Sequence, residues 1–333
     1  MPIGDLSTLL VWGAVTAYAI ALVAYSSALA RVADAAARTQ RRPVAVGAGA
    51  AAITTAESTI AAPGRAAGIA RSTATLATAL LLGGVVLRGV AAGRWPTANM
   101  YEFTIVGILV ATVVFLAVRR TRTLPFIGVL VTGIAVLSLV VALNSFYLRA
   151  DAVQPALQSY WLVVHVSIAI AATGIFTVAF ATSVLQVLQD SRESGRSRLD
   201  RPWRVGDELR RSLRRWRITG PSWLWLRTVP SAVRLEALSF RLNAIAFVLW
   251  TLTLIGGAIW AEQAWGRYWG WDPKEVATFV AWVVYAAYLH ARTTRGWQGR
   301  RAAYLVYVGY AVVIANFTVV NLFVNGKHSY SGI

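Results

Sequence analysis

The chain contains no cysteine among its 333 residues. Disulfides, thiolate metal sites and thiol redox chemistry by this chain are therefore excluded in any compartment, and a redox step would belong to a partner. Histidine is almost as scarce, with only His165, His290 and His328. That number, with no His-Glu-x-x-His spacing, argues against a hydrolytic zinc centre, which recruits three close ligands and a base. The long apolar runs hold almost no carboxylates, Glu102 lying near an end, which argues against a proton or ion transporter. What the chain has in quantity is apolar surface: 57% hydrophobic residues, 14% charged ones and a positive mean hydropathy. It reads as an all-α, polytopic membrane protein.

Apolar runs long enough to cross a hydrocarbon core, roughly 20 residues, number eight, at about 8–30, 73–93, 101–118, 124–143, 160–186, 242–260, 274–290 and 303–323. An even number puts both termini on one side. The net charge of +18 would point to nucleic acid in a soluble protein, but here 30 of the 32 basic residues are arginines lying mostly between spans. The intervening stretches 31–72, 119–123, 187–240 and 291–302 carry 6, 3, 12 and 4 of them. By the positive-inside rule these loops are cytoplasmic and both termini lie outside; no nucleic acid is required. The N-terminus lacks a basic n-region and carries Asp5, so the first span reads as retained rather than as a cleaved signal. Residues 43–62, mostly alanine and glycine with Glu57 inside and arginines on both flanks, read as a non-spanning linker.

The expected layout is a first span and Ala/Gly-rich linker over 1–72 and spans two to five over 73–186. An arginine-rich cytoplasmic loop follows over 187–240, then spans six to eight over 241–333. Within the arginine-rich loop, Leu209, Leu213 and Trp216 fall at helical spacing among arginines, the pattern of an amphipathic helix on an anionic leaflet.

The run Trp265-Gly266-Arg267-Tyr268-Trp269-Gly270-Trp271-Asp272-Pro273-Lys274-Glu275 joins spans six and seven within the stretch 261–275. Two readings are open from these residues: an interfacial aromatic belt, or a wall for a flat amphipathic ligand. Asp272-Pro273-Lys274-Glu275 is also a helix start, with an acidic N-cap, proline at the first helical position and glutamate at the third. Asp272 and Glu275 therefore have a structural reading beside a ligand-binding one. His165, five residues into the fifth span, and His328, in the tail, fall on the side of the tryptophan loop. His290 closes the seventh span, 17 residues beyond Pro273 and roughly 26 Å along the helix, too far to share a ligand with them. Haem meets these demands: its iron takes axial imidazoles, its face stacks on indoles, and its propionates pair with cations. Arg94, Arg149, Arg267, Lys274 and Lys327 are the cations available outside.

The pattern Trp-Gly-x-x-Trp-x-Trp-Asp-x-x-Glu at 265–275, with an outer histidine on each side and the contexts Leu289-His290-Ala291-Arg292 and His328-Ser329-Tyr330, resembles the tryptophan-rich (WWD) haem-handling family of cytochrome c assembly. The likeness is greatest to the CcsA/ResC-type subunit of the System II synthase, called CcsB in actinobacteria. It covers most of residues 73–330.

The resemblance implies an outer haem b site formed by Trp265, Trp269, Trp271 and Asp272, with His165 and His328 on the iron. Arg267 and Lys274 stand beside it as candidate partners of the propionates. It implies that His290 ligates haem on the inner part of its route and that a ResB-type membrane subunit supplies the second inner histidine. The activity implied is that of a haem lyase acting on the Cys-x-x-Cys-His of apocytochrome c in a bacterial cytoplasmic membrane, served indirectly by thiol-reducing proteins. A haem exporter or scaffold without lyase activity is the alternative. A System I relative that passes haem to a carrier is a further one, against which the span number argues.

Overall fold

The computed structural model describes residues 1–41, 65–118, 125–150, 159–202 and 206–328. The Ala/Gly-rich stretch 43–62, the arginines of 119–123, and Ser329 and Tyr330 lie outside the described residues.

Ten α-helices account for most of the rest: α1 (Ile3–Arg41), α2 (Arg65–Ala92), α3 (Met100–Val118), α4 (Pro125–Ser145), α5 (Tyr160–Glu193), α6 (Asp207–Leu213), α7 (Ala232–Trp265), α8 (Pro273–Thr294), α9 (Arg300–Phe317) and α10 (Val319–Phe323). No strand occurs among the described residues. Without water, each backbone polar group must be satisfied within its own helix, and threonines obey the same constraint. Thr104, Thr112, Thr132 and Thr182 each donate to the carbonyl four residues earlier. Both α1 and α2 outrun the apolar stretches that announced them, because alanine-rich flanks continue a helix without adding hydropathy.

The long helices alternate in direction. α1 lies along α2 and α4, α3 between α4 and α5, α5 along α7, and α8 along α9. Small residues set the close crossings. Ser7 Oγ donates to the Gly84 carbonyl at 2.7 Å, and a Cβ on Gly84 would stand 2.9 Å from Val11. A Cβ on Gly309 would likewise meet the Tyr285 ring at 2.9 Å. Tyr18 of α1 ties three helices together through Thr78 at 3.0 Å and Thr112 at 2.9 Å.

Seven of the eight long helices are long and apolar enough to cross a membrane; α8 is not among them. Its 22 residues are one more than α4 has, but Lys274, Glu275, Trp282, Tyr285, Tyr288 and His290 lower its hydropathy. It turns Ala281, Tyr285 and Tyr288 inward, where Tyr285 stacks on Phe176 at 3.8 Å.

One end of the bundle gathers the starts of α1, α3, α5 and α8 and the finishes of α2, α4, α7 and α9. The segment after α10 returns to that same end. The other end is pinned by ion pairs: Arg292 to Glu236 at 2.8 Å, whose carboxylate also takes the Gly299 N–H at 3.0 Å, and Arg300 to Asp190 at 2.5 Å.

Candidate functional site

His165 stands on the second turn of α5, against Gly256 and Gly257 of α7. Its Nδ1 lies 2.8 Å from the Thr253 carbonyl oxygen. A carbonyl only accepts, so Nδ1 carries a proton, and in the neutral imidazole Nε2 keeps a lone pair. The ring is parallel to Trp260 within 6°, their centroids 6.3 Å apart. Gly257 makes room for it: a Cβ there would sit 2.7 Å from Cε1.

The tryptophan loop begins where α7 ends. Gly266, at φ +68, closes α7 by returning its N–H to the Glu262 carbonyl at 2.7 Å, a left-handed conformation that favours glycine. Arg267 then lies across Gly270, whose missing side chain would occupy the guanidinium's place. Trp271 is left-handed at φ +59, which a bulky residue rarely adopts. Glu275 holds that conformation by accepting the N–H groups of Gly270 at 2.8 Å and Asp272 at 3.0 Å. Asp272 completes the capping box and accepts the Lys274 N–H at 3.2 Å.

Asp272 also reaches away from its helix, as capping rules alone would not require. Its carboxylate accepts the Lys327 N–H at 2.6 Å and lies 2.7 Å from His328 Nδ1. Burial works against the carboxylate, but the bonds from His328, Lys327 and Lys274 outweigh it and hold the carboxyl below its ordinary value. Burial, more than the neighbouring charges, moves His328 the other way from a charged pair, below the usual imidazole range. The consistent state is a neutral His328 donating Nδ1–H to an ionised Asp272, with a lone pair left on Nε2. A carboxylate behind a histidine is the usual outer support of a metal-ligating imidazole. Trp265 and Trp260 pack edge-on and tilted against His328 at 4.9 and 5.6 Å, so Trp260 touches both histidines.

Between these elements lies a cavity enclosing about 1260 Å³ of atom-free space, its open mouth included. His165, His328, Trp269, Lys274 and Glu275 line it, with Trp250, Trp260 and Asn316. Trp265, Arg267 and Asp272 stand behind the lining. Trp271 is 76% exposed and Tyr268 63%, so the loop faces two ways, with Trp269 and Tyr268 on the cavity lining and Trp271 outside it. His290 is exposed near the opposite end of α8 and takes no part in the cavity.

The five candidate propionate partners separate in the same way. Arg94 pairs with Glu102, Arg149 is exposed, Arg267 braces Gly270, and Lys327 sits over the Trp265 ring at 5.7 Å. Lys274 alone of the five lines the cavity. Its ammonium donates to the Asn316 carbonyl at 3.1 Å and to Asn321 Oδ1 at 2.8 Å. Among the described residues no carboxylate is in ion-pair contact with it, though Asp272 is near enough to act on its charge, and the buried Asn316 Oδ1 lacks a donor. A half-buried cation without a direct ion pair suits an anionic ligand.

The stretch Arg94-x-Pro96-x-x-Asn99-x-Tyr101-Glu102 shares in the family resemblance, but its role is not derivable from the sequence; within it, the segment Thr97-Ala98-Asn99 forms part of the cavity wall. It is held by Glu102, wholly buried, which binds Arg88 at 3.0 Å, Arg94 at 2.7 Å and the Ala98 N–H at 2.9 Å. Arg88 in turn donates to the Arg149 carbonyl at 3.2 Å and lies over Tyr101 at 5.2 Å. Glu102→Ala strands two guanidiniums and should destabilise the fold by about 3–5 kcal/mol. Thermal unfolding in detergent reads this directly, and an unchanged midpoint would contradict the assignment.

The profile of the cytochrome c assembly protein family matches residues 95–328, a span that includes both cavity histidines. The cytochrome c biogenesis protein CcsA of Prochlorococcus marinus is 34% identical over 251 residues, covering 74% of this chain and 78% of that protein. The CcsA protein of Parasynechococcus marenigrum is 35% identical over 270 residues, covering 79% and 86%. Among solved structures, the cytochrome c haem lyase CcmF shares the fold with a TM-score of 0.62 at 16% identity. The match covers 95% of this chain but 47% of that one, so this chain spans about half the length of CcmF. The chain therefore belongs to the cytochrome c assembly protein family, as a CcsA-type member.

Proposed function

We propose that this chain takes haem b as its substrate in the cavity, with His165 and His328 on the iron. It presents the vinyl groups to the Cys-x-x-Cys-His segment of apocytochrome c, as one subunit of a holocytochrome c synthase with a ResB-type partner. The cavity end faces outward from a bacterial cytoplasmic membrane, in keeping with the arginine distribution.

The observation that carries this reading is the shared state of the two histidines. Each has Nδ1 committed as a donor, one to the Thr253 carbonyl and one to Asp272, and each lines the same cavity with Nε2 unprotonated. Two neutral imidazoles among indoles suit the axial positions of an iron porphyrin. Trp269 offers a face for the ring, Trp250 and Trp260 back the wall, and Lys274 offers charge for a propionate. Lys274→Met should weaken haem retention by about 1.5–3 kcal/mol, roughly ten- to hundredfold, as read by haem titration of the purified complex.

Thioether formation adds S–H across each vinyl C=C: sulfur takes one carbon, hydrogen the other, and nothing is oxidised. The cysteines must arrive reduced, which is the indirect role of thiol-reducing proteins. The chain's part is to position the haem and control its ligation. His290, at the other end, reads as a contact for haem before it reaches the cavity, its second ligand coming from the partner.

A carrier without lyase activity is the second reading. It is favoured by the lack of an acid–base pair among the described lining residues, Glu275 being occupied by the helix start. Co-expression with a ResB-type partner and a reporter apocytochrome separates the two. Covalent haem on the reporter is the expected result; a haem-loaded complex that attaches none would assign the chain as a carrier.

A further inference from the structure

The arginine-rich segment between α5 and α7 has no part in the cavity. α5 runs 34 residues from Tyr160, beside the cavity, to Glu193, about 51 Å away. The second half of the segment is anchored in the bundle: Trp225 and Leu226 are buried, and Trp225 stacks on Phe126 of α4 at 5.1 Å. Trp223 Nε1 donates to the Trp216 carbonyl at 2.8 Å, which ties the first half to that anchor.

The anchored first half, α6 with the turn Arg214–Trp216, presents an apolar face in an arginine-rich setting. Leu209, Leu213 and Trp216 are 59, 37 and 56% exposed, and steps of four and three residues put them on one side. Arg211, Arg214 and Arg217 are exposed nearby, as is Glu208; Asp207 pairs with Arg210 and Arg211, and Asp200 with Arg217. Val233, 73% exposed, and Arg234 and Arg241 continue the same mixture onto the first turns of α7. A solvated loop accounts for the arginines but not for three large apolar side chains sharing a face.

We propose that α6 and the following turn dock on the anionic phospholipids of the leaflet at this end. Leu209, Leu213 and Trp216 enter the acyl boundary, and the guanidiniums pair with headgroup phosphates. A lipid surface is the occupant these observations favour. The apolar strip is narrow, and arginine outnumbers acid beside it, with Arg211, Arg214 and Arg217 exposed against Glu208 and Asp200.

The absence of cysteine makes the test specific. Leu213→Cys carries an environment-sensitive fluorophore on the full chain, reconstituted in nanodiscs of phosphatidylcholine alone or mixed with phosphatidylglycerol; Arg211→Cys, two residues from both Leu209 and Leu213, marks the opposite side of α6. The expected result is a blue shift and quenching by spin-labelled acyl chains at position 213 only with phosphatidylglycerol, none at 211, and loss of the effect in an Arg214→Glu/Arg217→Glu background. A water-like emission at 213 in both lipids, equal shifts in both, or a shift that follows a co-purifying protein rather than the lipid would each overturn the proposal. Single symmetrical peaks in size exclusion establish that the labelled variants are folded.

Discussion

His165→Gly and His328→Gly, each in the complex with its partner, are expected to strip most of the bound haem or shift its absorption bands, and free imidazole should restore both. The two variants differ in how well rescue works. Removing the His165 ring leaves a slot bounded by Trp260 and Gly257, with the Thr253 carbonyl still placed to orient an incoming imidazole. Removing the His328 ring leaves Asp272 as acceptor, but the Trp265 and Trp260 contacts that located the ring lose their partner. Rescue should therefore need less imidazole at 165 than at 328. Unchanged spectra in both variants would dispose of the ligand assignment.

Asp272→Asn should uncouple the two tasks that one carboxylate performs. An asparagine still offers one oxygen to the start of α8, where asparagine caps about as well as aspartate. It cannot keep accepting from Lys274, Lys327 and His328 together, and it turns a donor toward groups that need an acceptor. Losing the support behind a ligating histidine typically costs 10–100-fold in affinity, so roughly that fall in haem retention is expected, with a nearly unchanged unfolding midpoint. Asp272→Ala should lose the cap as well, about 0.5–2 kcal/mol of stability. Wild-type haem retention in Asp272→Asn would refute the dual role. Acidification mimics the variant with a definite sign. Because the folded carboxyl is held below its ordinary value, its contribution is complete above the unfolded pKa of about 3.9 and disappears only as pH falls through the lowered one.

The sequence announced the helices more clearly than the walls of the site. Apolar runs located the long helices because length and hydropathy dominate insertion. The start of α8 was legible to the residue, since Asp272, Pro273 and Glu275 act within a single turn. The extension of α1 to Arg41 was not, because alanine continues a helix without adding hydropathy. Trp250 and Trp260 were hidden for a related reason: an indole within a span gives no sign of whether it faces lipid or a cavity. Glu102 sits 14 residues from Arg88, and no local rule joins them. The reach of Asp272 to His328 crosses 56 positions, so its capping role was legible locally and its contact with the tail was not.

That long contact bears on how the protein is made. His165, Trp260 and α8 are all synthesised before the segment that follows α10, and until that segment folds back onto Asp272 the cavity has one imidazole instead of two. On the proposed ligation, a chain still emerging from the ribosome lacks the second axial nitrogen, and cargo that met it would be held on one side only. That reading makes docking of the tail on Asp272 the step that separates membrane insertion from loading.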